Sequence, residues 1–327
     1  MIMAPSGASL RVLVTGADGF VGRHLQRALA AQGIEHRTAV RVAADSSDHR
    51  CFAVGDIGPL TDWSAAVDGI DVIVHLAGRA HVLRETASDP QAEFMRVNAK
   101  GTAGLVVAAV RAGVRRVVYV SSIGVHGDTT SDAPFTAASP LRPHNAYAES
   151  KLSGESAARS AAGTRVEVVV LRPPLVYGSG VRANFLRLMQ WIDKERPLPL
   201  GAIRNSRSLV NVWNLCDLLI NLSTHPNAPG RAWMVSDDHD LSTAQLIRYI
   251  ANLMGRRAKL LPIPLGLLNG IARLAGKQVE VERLCESLVI DIKQTRDELG
   301  WHPPVSFDEG LSRTVRWYLS ERRSNVA

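Results

Sequence analysis

Through the first half of the chain, apolar residues gather in short unbroken runs at 10–14, 36–40, 51–54, 70–75, 115–120 and 166–171. Runs this short, rich in valine and isoleucine, predict strands buried on both faces. Between them, 91–112 and 146–161 place apolar residues three and four apart, the spacing of helices that cover a sheet. Strands and helices in alternation predict an α/β chain built on a doubly wound parallel sheet, with ligands at the carboxyl ends of its strands.

Past Tyr177 the pattern changes. Loops with proline and glycine at 197–201, 226–230 and 262–266 separate short helices, which predicts a smaller C-terminal substrate lobe. Two runs, 208–212 and 232–236, are expected to return to the main sheet, so the division into 1–177 and 178–327 is discontinuous. The most apolar stretch, Leu260 to Ala275, is broken by Pro262, Pro264, Asn269 and Arg273. It reads as a helix packed on the substrate lobe, with a membrane surface or a partner subunit as the other places it can rest.

With 327 residues, 46% of them hydrophobic, the chain can bury one large α/β unit or two joined lobes. The net charge of +7 is spread over scattered arginines without interleaved aromatics, which argues against nucleic acid as a partner and suits a polyanionic substrate. Cys51, Cys216 and Cys285 are far apart with no C-x-x-C, which argues against disulfides and metal and fits a reducing cytoplasm. The first residues lack the charged and apolar regions of a signal peptide, and no unbroken apolar stretch is long enough for a transmembrane span.

The first run is followed at once by Thr15-Gly16-Ala17-Asp18-Gly19-Phe20-Val21-Gly22, then by helical spacing at Val21, Leu25, Ala28 and Leu29. Strand, glycine turn and helix bring backbone amides to a pyrophosphate, so the sheet is expected to be Rossmann-like and 1–177 to bind a dinucleotide. Tyr147-Ala148-Glu149-Ser150-Lys151 sets a phenol and an ammonium on one helix face. A neighbouring ammonium favours the phenolate, so the pair suits proton exchange with an alcohol or carbonyl.

Further segments follow in order: Val72-Ile73-Val74-His75-Leu76-Ala77-Gly78, Val97-Asn98-Ala99-Lys100-Gly101-Thr102, Val118-Tyr119-Val120-Ser121-Ser122 and Leu171-Arg172-Pro173-Pro174-Leu175-Val176-Tyr177-Gly178. With these the chain resembles the extended short-chain dehydrogenase/reductases, the NAD-dependent epimerase/dehydratase group, over nearly its whole length. The resemblance implies that Ser122 hydrogen-bonds the reacting oxygen, Tyr147 exchanges its proton, and Lys151 holds the nicotinamide ribose and lowers the phenol pKa. It also implies cofactor contacts from Gly16, Gly19, Phe20, Val21, Gly22, Asp56, Ile57, Leu76, Ala77, Gly78, Asn98 and Pro173, besides Tyr147 and Lys151. Substrate contacts carried over are Ser122, His126, Tyr147, Asn184, Arg207 and Arg283, the two arginines as diphosphate clamps. His126 stands where many relatives have tyrosine. Arg283 lies closer to Asp291 than in the epimerases and lacks their neighbouring Gly-Asp.

Arg41 stands 19 residues after Gly22, where an NAD-binding chain places Asp or Glu for the ribose hydroxyls. A guanidinium suits a 2′-phosphate, which favours NADP(H) over NAD(H), unless Asp45 supplies the acid from the following loop. The resemblance then points to a UDP-4-keto-6-deoxy-N-acetylhexosamine 4-reductase of surface polysaccharide (lipopolysaccharide, O-antigen) synthesis. A UDP-glucose or UDP-N-acetylglucosamine 4-epimerase is the alternative, and a non-catalytic NADP-sensing regulator is a third reading. Expected partners are a UDP-linked sugar and, as is usual in the family, a second copy of the chain.

Overall fold

The computed structural model describes residues 10–43, 48–80, 87–131, 133–274, 276, 281 and 284–324. Nine strands run in chain order: β1 (Arg11–Thr15), β2 (Glu35–Val40), β3 (Cys51–Ala53), β4 (Val72–His75), β5 (Arg116–Val120), β6 (Glu167–Arg172), β7 (Leu175–Tyr177), β8 (Leu209–Asn211) and β9 (Ala232–Met234). Seven form a parallel sheet of order β3-β2-β1-β4-β5-β6-β9. The chain winds outward from β1 to β3, then returns to β4 and winds the other way. The crevice beyond the ends of β1 and β4 is therefore the switch point where such sheets take ligands.

Side chains alternate across each strand, which explains why the runs are apolar throughout. Val12, Val14, Val72, Val74 and Val118 face a cluster with Leu25 and Leu29 of α1 (Phe20–Ala31) and Leu215 and Leu219 of α7 (Val212–Thr224). Leu13, Ile73 and Val117 point the opposite way, to Leu105 and Ala109 of α4 (Thr102–Ala112) and Ala158 of α5 (Ala146–Ala162). A third cluster joins Tyr177, Phe185 and Met189 of α6 (Ala183–Asp193), Ile247 and Ile250 of α8 (Thr243–Leu253), and Leu311 of α11 (Phe307–Ser324). The remaining described helices are α2 (Ser64–Val67), α3 (Pro90–Met95), α9 (Leu265–Leu274) and α10 (Lys293–Leu299).

Two expectations from the pattern change. The 232–236 run supplies β9, which joins the main sheet beside β6, whereas the 208–212 run supplies β8, which pairs with β7 in a separate two-stranded sheet. Pro173 and Pro174 lack amide N–H groups and end the β6 ladder, so β7 leaves the main sheet and takes β8 with it. The helical rod at 91–112 is also not uniform: Arg96–Gly101 is a π-helical segment between α3 and α4. A Cβ on Gly101 would lie 2.5 Å from Cγ2 of Ile57, so this glycine admits the 56–57 loop against the bulge.

Candidate active site at the sheet switch point

The glycine turn is shaped by close backbone contact. Gly16 has φ +64°, and a Cβ there would stand 2.8 Å from the Ala77 backbone at the end of β4. A Cβ on Gly22 would run into the Gly16 carbonyl oxygen. Helix α1 begins at Gly19 with no side chain capping it, so first-turn amides remain for an anion. His24 donates from Nε2 to the Ser179 carbonyl at 2.7 Å, tying α1 to the loop after β7. Turn, uncapped helix and bare backbone fit the pyrophosphate of a nicotinamide dinucleotide.

At the outer end of this crevice, Arg41 Nε donates to Asp56 Oδ1 at 2.9 Å. Arg96 holds the same loop by donating to the Ile57 carbonyl at 2.9 Å. Arg41 is thus no lone guanidinium: a carboxylate from another expected cofactor position sits on it.

A directed chain of hydrogen bonds crosses from β1 to the π segment. The Ala77 amide donates to Thr15 Oγ1 at 3.2 Å, and Thr15 faces His75 Nδ1 at 2.7 Å. His75 Nε2 lies 3.0 Å from Thr102 Oγ1, whose hydroxyl donates to the Asn98 carbonyl at 2.8 Å. A carbonyl only accepts, so Thr102 must accept from His75 Nε2–H, and Nδ1 must accept from Thr15. His75 is therefore a neutral, fully buried strut, its pKa pulled down to about 3 by burial and then by the Lys151 charge. The Asn98 side chain continues the network. Its Oδ1 accepts the Arg79 amide at 2.7 Å, and Nδ2 donates to the Arg79 carbonyl and to Ser150 Oγ. A Cβ on Gly78 would stand 2.9 Å from Asn98 Oδ1 and 3.8 Å from Lys151 Nζ, which brings Leu76, Ala77 and Gly78 beside Asn98 and Lys151.

Ser122 follows the end of β5, and Tyr147 and Lys151 stand on α5. Ser122 accepts the Gly124 amide at 3.1 Å as the cap of a short 3-10 turn, and the Pro173 carbonyl accepts the adjoining Ile123 amide at 2.9 Å. Asn145 caps α5 by accepting the Ala148 amide at 2.9 Å, which sets Tyr147 in the first turn. Ser122 is the side chain that favours the charged form of the Tyr147 phenol. Ser121 is buried, and its hydroxyl finds no partner among the described residues; of the two serines, Ser122 is the one that acts on the tyrosine. Burial pushes the Tyr147 phenol up, partly offset by Ser122, and pulls Lys151 down to about 7, partly offset by Glu155. In the protein alone, desolvation disfavours the charged forms of both groups.

Glu155 and Arg172 escape a reading by motif. Arg172 donates to both carboxylate oxygens of Glu155, at 3.0 and 2.6 Å, in a buried bidentate pair. It also donates to His126 Nε2 at 2.9 Å, while His126 Nδ1 donates to the Pro140 carbonyl at 3.2 Å. Both nitrogens of His126 are therefore engaged in the core. The histidine braces Arg172, and burial followed by the arginine charge lowers its pKa. The only sequence signal was position, since Tyr147, Lys151 and Glu155 recur every four residues along α5.

The substrate lobe is less gathered. Asn184 is exposed in the first turn of α6, beside Ala183 at φ +53°. Arg207 is half-buried and donates to the Glu286 carbonyl at 3.0 Å; burial lowers its pKa, countered by Asp128 and Glu286. Arg283 lies outside the described residues. A hollow of about 850 Å³ lined by Leu60, Trp63, Lys100, Val107 and Arg111 among others lies elsewhere and includes none of the site residues. Among the described residues there is no metal-binding cluster, and no helix is long and apolar enough to cross a membrane.

The chain is similar to known proteins over nearly its whole length. A UDP-glucose 4-epimerase from Vibrio cholerae is 38% identical over 94% of this chain and 95% of its own. An N-acetyl-α-D-glucosaminyl-diphospho-ditrans,octacis-undecaprenol 4-epimerase from Escherichia coli O157:H7 is 26% identical over 94% of both. The solved dTDP-glucose 4,6-dehydratase of Streptomyces venezuelae, with NAD and TYD bound, superposes with a TM-score of 0.76 at 28% identity, over 96% of this chain and 98% of that one. The model of the NAD dependent epimerase/dehydratase family matches residues 12–236, a span that holds the glycine turn, the buried histidine strut and the Ser122–Tyr147–Lys151 centre. The chain is an enzyme of the NAD-dependent epimerase/dehydratase family.

Proposed function

We propose that the enzyme is a nucleotide-sugar 4-epimerase that keeps NAD(H) through the cycle and acts on a UDP-linked hexose or N-acetylhexosamine. The observation that carries this reading is the Arg41–Asp56 ion pair at 2.9 Å. A 2′-phosphate near Arg41 would meet the Asp56 carboxylate, whereas ribose hydroxyls can donate to it. A pocket for NAD suits a cofactor reduced and reoxidised in place. The full-length likeness to the Vibrio cholerae epimerase supports the same choice.

Bound at the glycine turn, the dinucleotide would accept a hydride from a sugar carbon and return it. The amides of Phe20 and Val21 and the bare backbone at Gly16, Gly19 and Gly22 would hold its pyrophosphate, with Lys151 and Asn98 at the inner end. Ser122 orients the sugar hydroxyl toward Tyr147. Tyr147 takes the hydroxyl proton as the alcohol becomes a ketone and gives it back on reduction. Lys151, once charged, stabilises the phenolate between those events. Arg207 and Asn184 are the groups offered to the diphosphate.

The second reading is the 4-reductase with NADPH, favoured by Arg41 itself at the end of β2. Stoichiometry separates the two. With UDP-galactose or UDP-N-acetylglucosamine and NAD, the epimerase forms the C4 epimer without net NADH. Stoichiometric NADPH oxidation on a UDP-4-keto-6-deoxy-N-acetylhexosamine, with no epimer formed, would replace it by the reductase. Unchanged biological activity of Tyr147→Phe would point instead to a cofactor-sensing regulator.

A further inference from the structure

Between Asp240 and Glu280 the chain contains no acidic residue. The described part of that stretch, 241–274, carries five cations, Arg248, Arg256, Arg257, Lys259 and Arg273, against a net charge of +7 for the whole chain. Arg256 is neutralised by Asp193 at 3.1 Å and Lys259 by Glu195 at 3.6 Å. Arg248, Arg257 and Arg273 are exposed, and their guanidinium groups pair with no carboxylate among the described residues.

The same stretch leaves large apolar side chains in water. Helix α9 inserts Leu268 into the third cluster, while Leu265 is 47%, Leu267 58% and Leu274 93% exposed, and Leu261 just before it is 46% exposed. Single exposed leucines are ordinary. Four within fourteen residues, with Arg257 four positions before the first and Arg273 next to the last, give this stretch exposed apolar side chains alongside exposed cations.

We propose that this face docks on the surface of a bilayer containing anionic phospholipid. A bilayer spreads negative charge over a wide area, so it disfavours unpaired carboxylates on the docking face; this stretch has none in its own sequence, and the two that reach it, Asp193 and Glu195, are paired with Arg256 and Lys259. The leucines enter the headgroup–acyl boundary while the arginines meet phosphate groups, the division of labour of an interfacial helix. A two-fold contact between copies of this face would bring its arginines together, so the charge pattern that suits lipid opposes self-association. Binding is peripheral and independent of which sugar the active site accepts.

Flotation of the full-length protein with vesicles tests this. Vesicles of phosphatidylcholine with about a third phosphatidylglycerol should carry the protein, and phosphatidylcholine alone should not. Raising salt to about 0.5 M should release most of it. Replacing any one of Arg248, Arg257 and Arg273 by Ser should weaken partition about fivefold, and Leu265→Glu with Leu267→Glu should weaken it about tenfold or more. Unchanged thermal melting and NADH binding certify the fold of each variant. Equal binding to both vesicle types, or full binding by the double glutamate variant, would overturn the proposal. So would a concentration-dependent dimer, seen in sedimentation, that this variant abolishes.

Discussion

The ammonium nitrogen of Lys151 stands 4.3 Å from the centre of the Tyr119 ring, fully buried, one helical turn past Tyr147. Its cation therefore rests on a π face, with Glu155 the charged group that favours it, and burial pulls its pKa from 10.5 to about 7. A base whose folded pKa lies below its unfolded value favours folding above the unfolded pKa and loses that contribution as pH falls through the folded one. The stability of the protein without cofactor, relative to Lys151→Met, should thus rise from about pH 7 to 10.5, by up to ~1.4 kcal/mol per pH unit. Urea unfolding of both proteins across that range measures it. Parallel curves would mean that the lysine is not desolvated as described.

The Glu155–Arg172 pair fixes α5 against the end of β6. Arg172→Met strands a buried carboxylate beside Lys151 and should cost about 3–5 kcal/mol. Glu155→Leu combined with Arg172→Met should recover most of that loss, because no unpaired charge is left. Chemical denaturation of the single and double variants decides it; a double variant as weak as Arg172→Met would show packing, not charge, to be the cause.

His75 responds to pH in the same direction, over a lower range. Its pKa falls from 6.5 to about 3, so its contribution is complete above 6.5 and is lost as pH drops toward 3. His75→Leu leaves the Thr15 and Thr102 hydroxyls short of a partner and should cost about 2–4 kcal/mol near neutrality. Acid unfolding should bring the variant and the wild type together, and a gap that stays constant down to pH 3 would contradict a neutral buried imidazole.

The strands were legible because both faces of the sheet are covered: Val12 and Leu13 face opposite clusters, so a plain apolar run carries the signal. Tyr147 and Lys151 stood out because they share one helix face and lie in a motif with Ser122. Other features depend on contacts far apart in sequence. The π segment rests on Gly101 accommodating Ile57, which helical spacing cannot register. Arg41 alone read as a phosphate ligand, since nothing local says that Asp56 lies on it. The contact of His126 with Arg172, 46 positions away, lies equally beyond the reach of a local pattern.

The Arg41–Asp56 pair gives a direct test of cofactor choice. Asp56→Asn frees Arg41 and removes a repulsive carboxylate, and should shift the ratio of NADH to NADPH dissociation constants toward NADPH by about tenfold. Fluorescence titration with both cofactors measures the ratio. If the unaltered protein already binds NADPH more tightly, the ion pair does not set the preference.

The most direct test of the central claim is proton NMR of UDP-glucose and UDP-N-acetylglucosamine incubated with the enzyme, NAD and no other reductant, for the wild type and Tyr147→Phe. Signals of the C4 epimer should grow in with the wild type on at least one substrate. Tyr147→Phe, which retains NAD binding, should be slower by about 10²–10⁴-fold. Equal rates in the two proteins, or no epimer from either sugar alongside NADPH-driven reduction of a 4-keto sugar, would contradict an epimerase working through Tyr147.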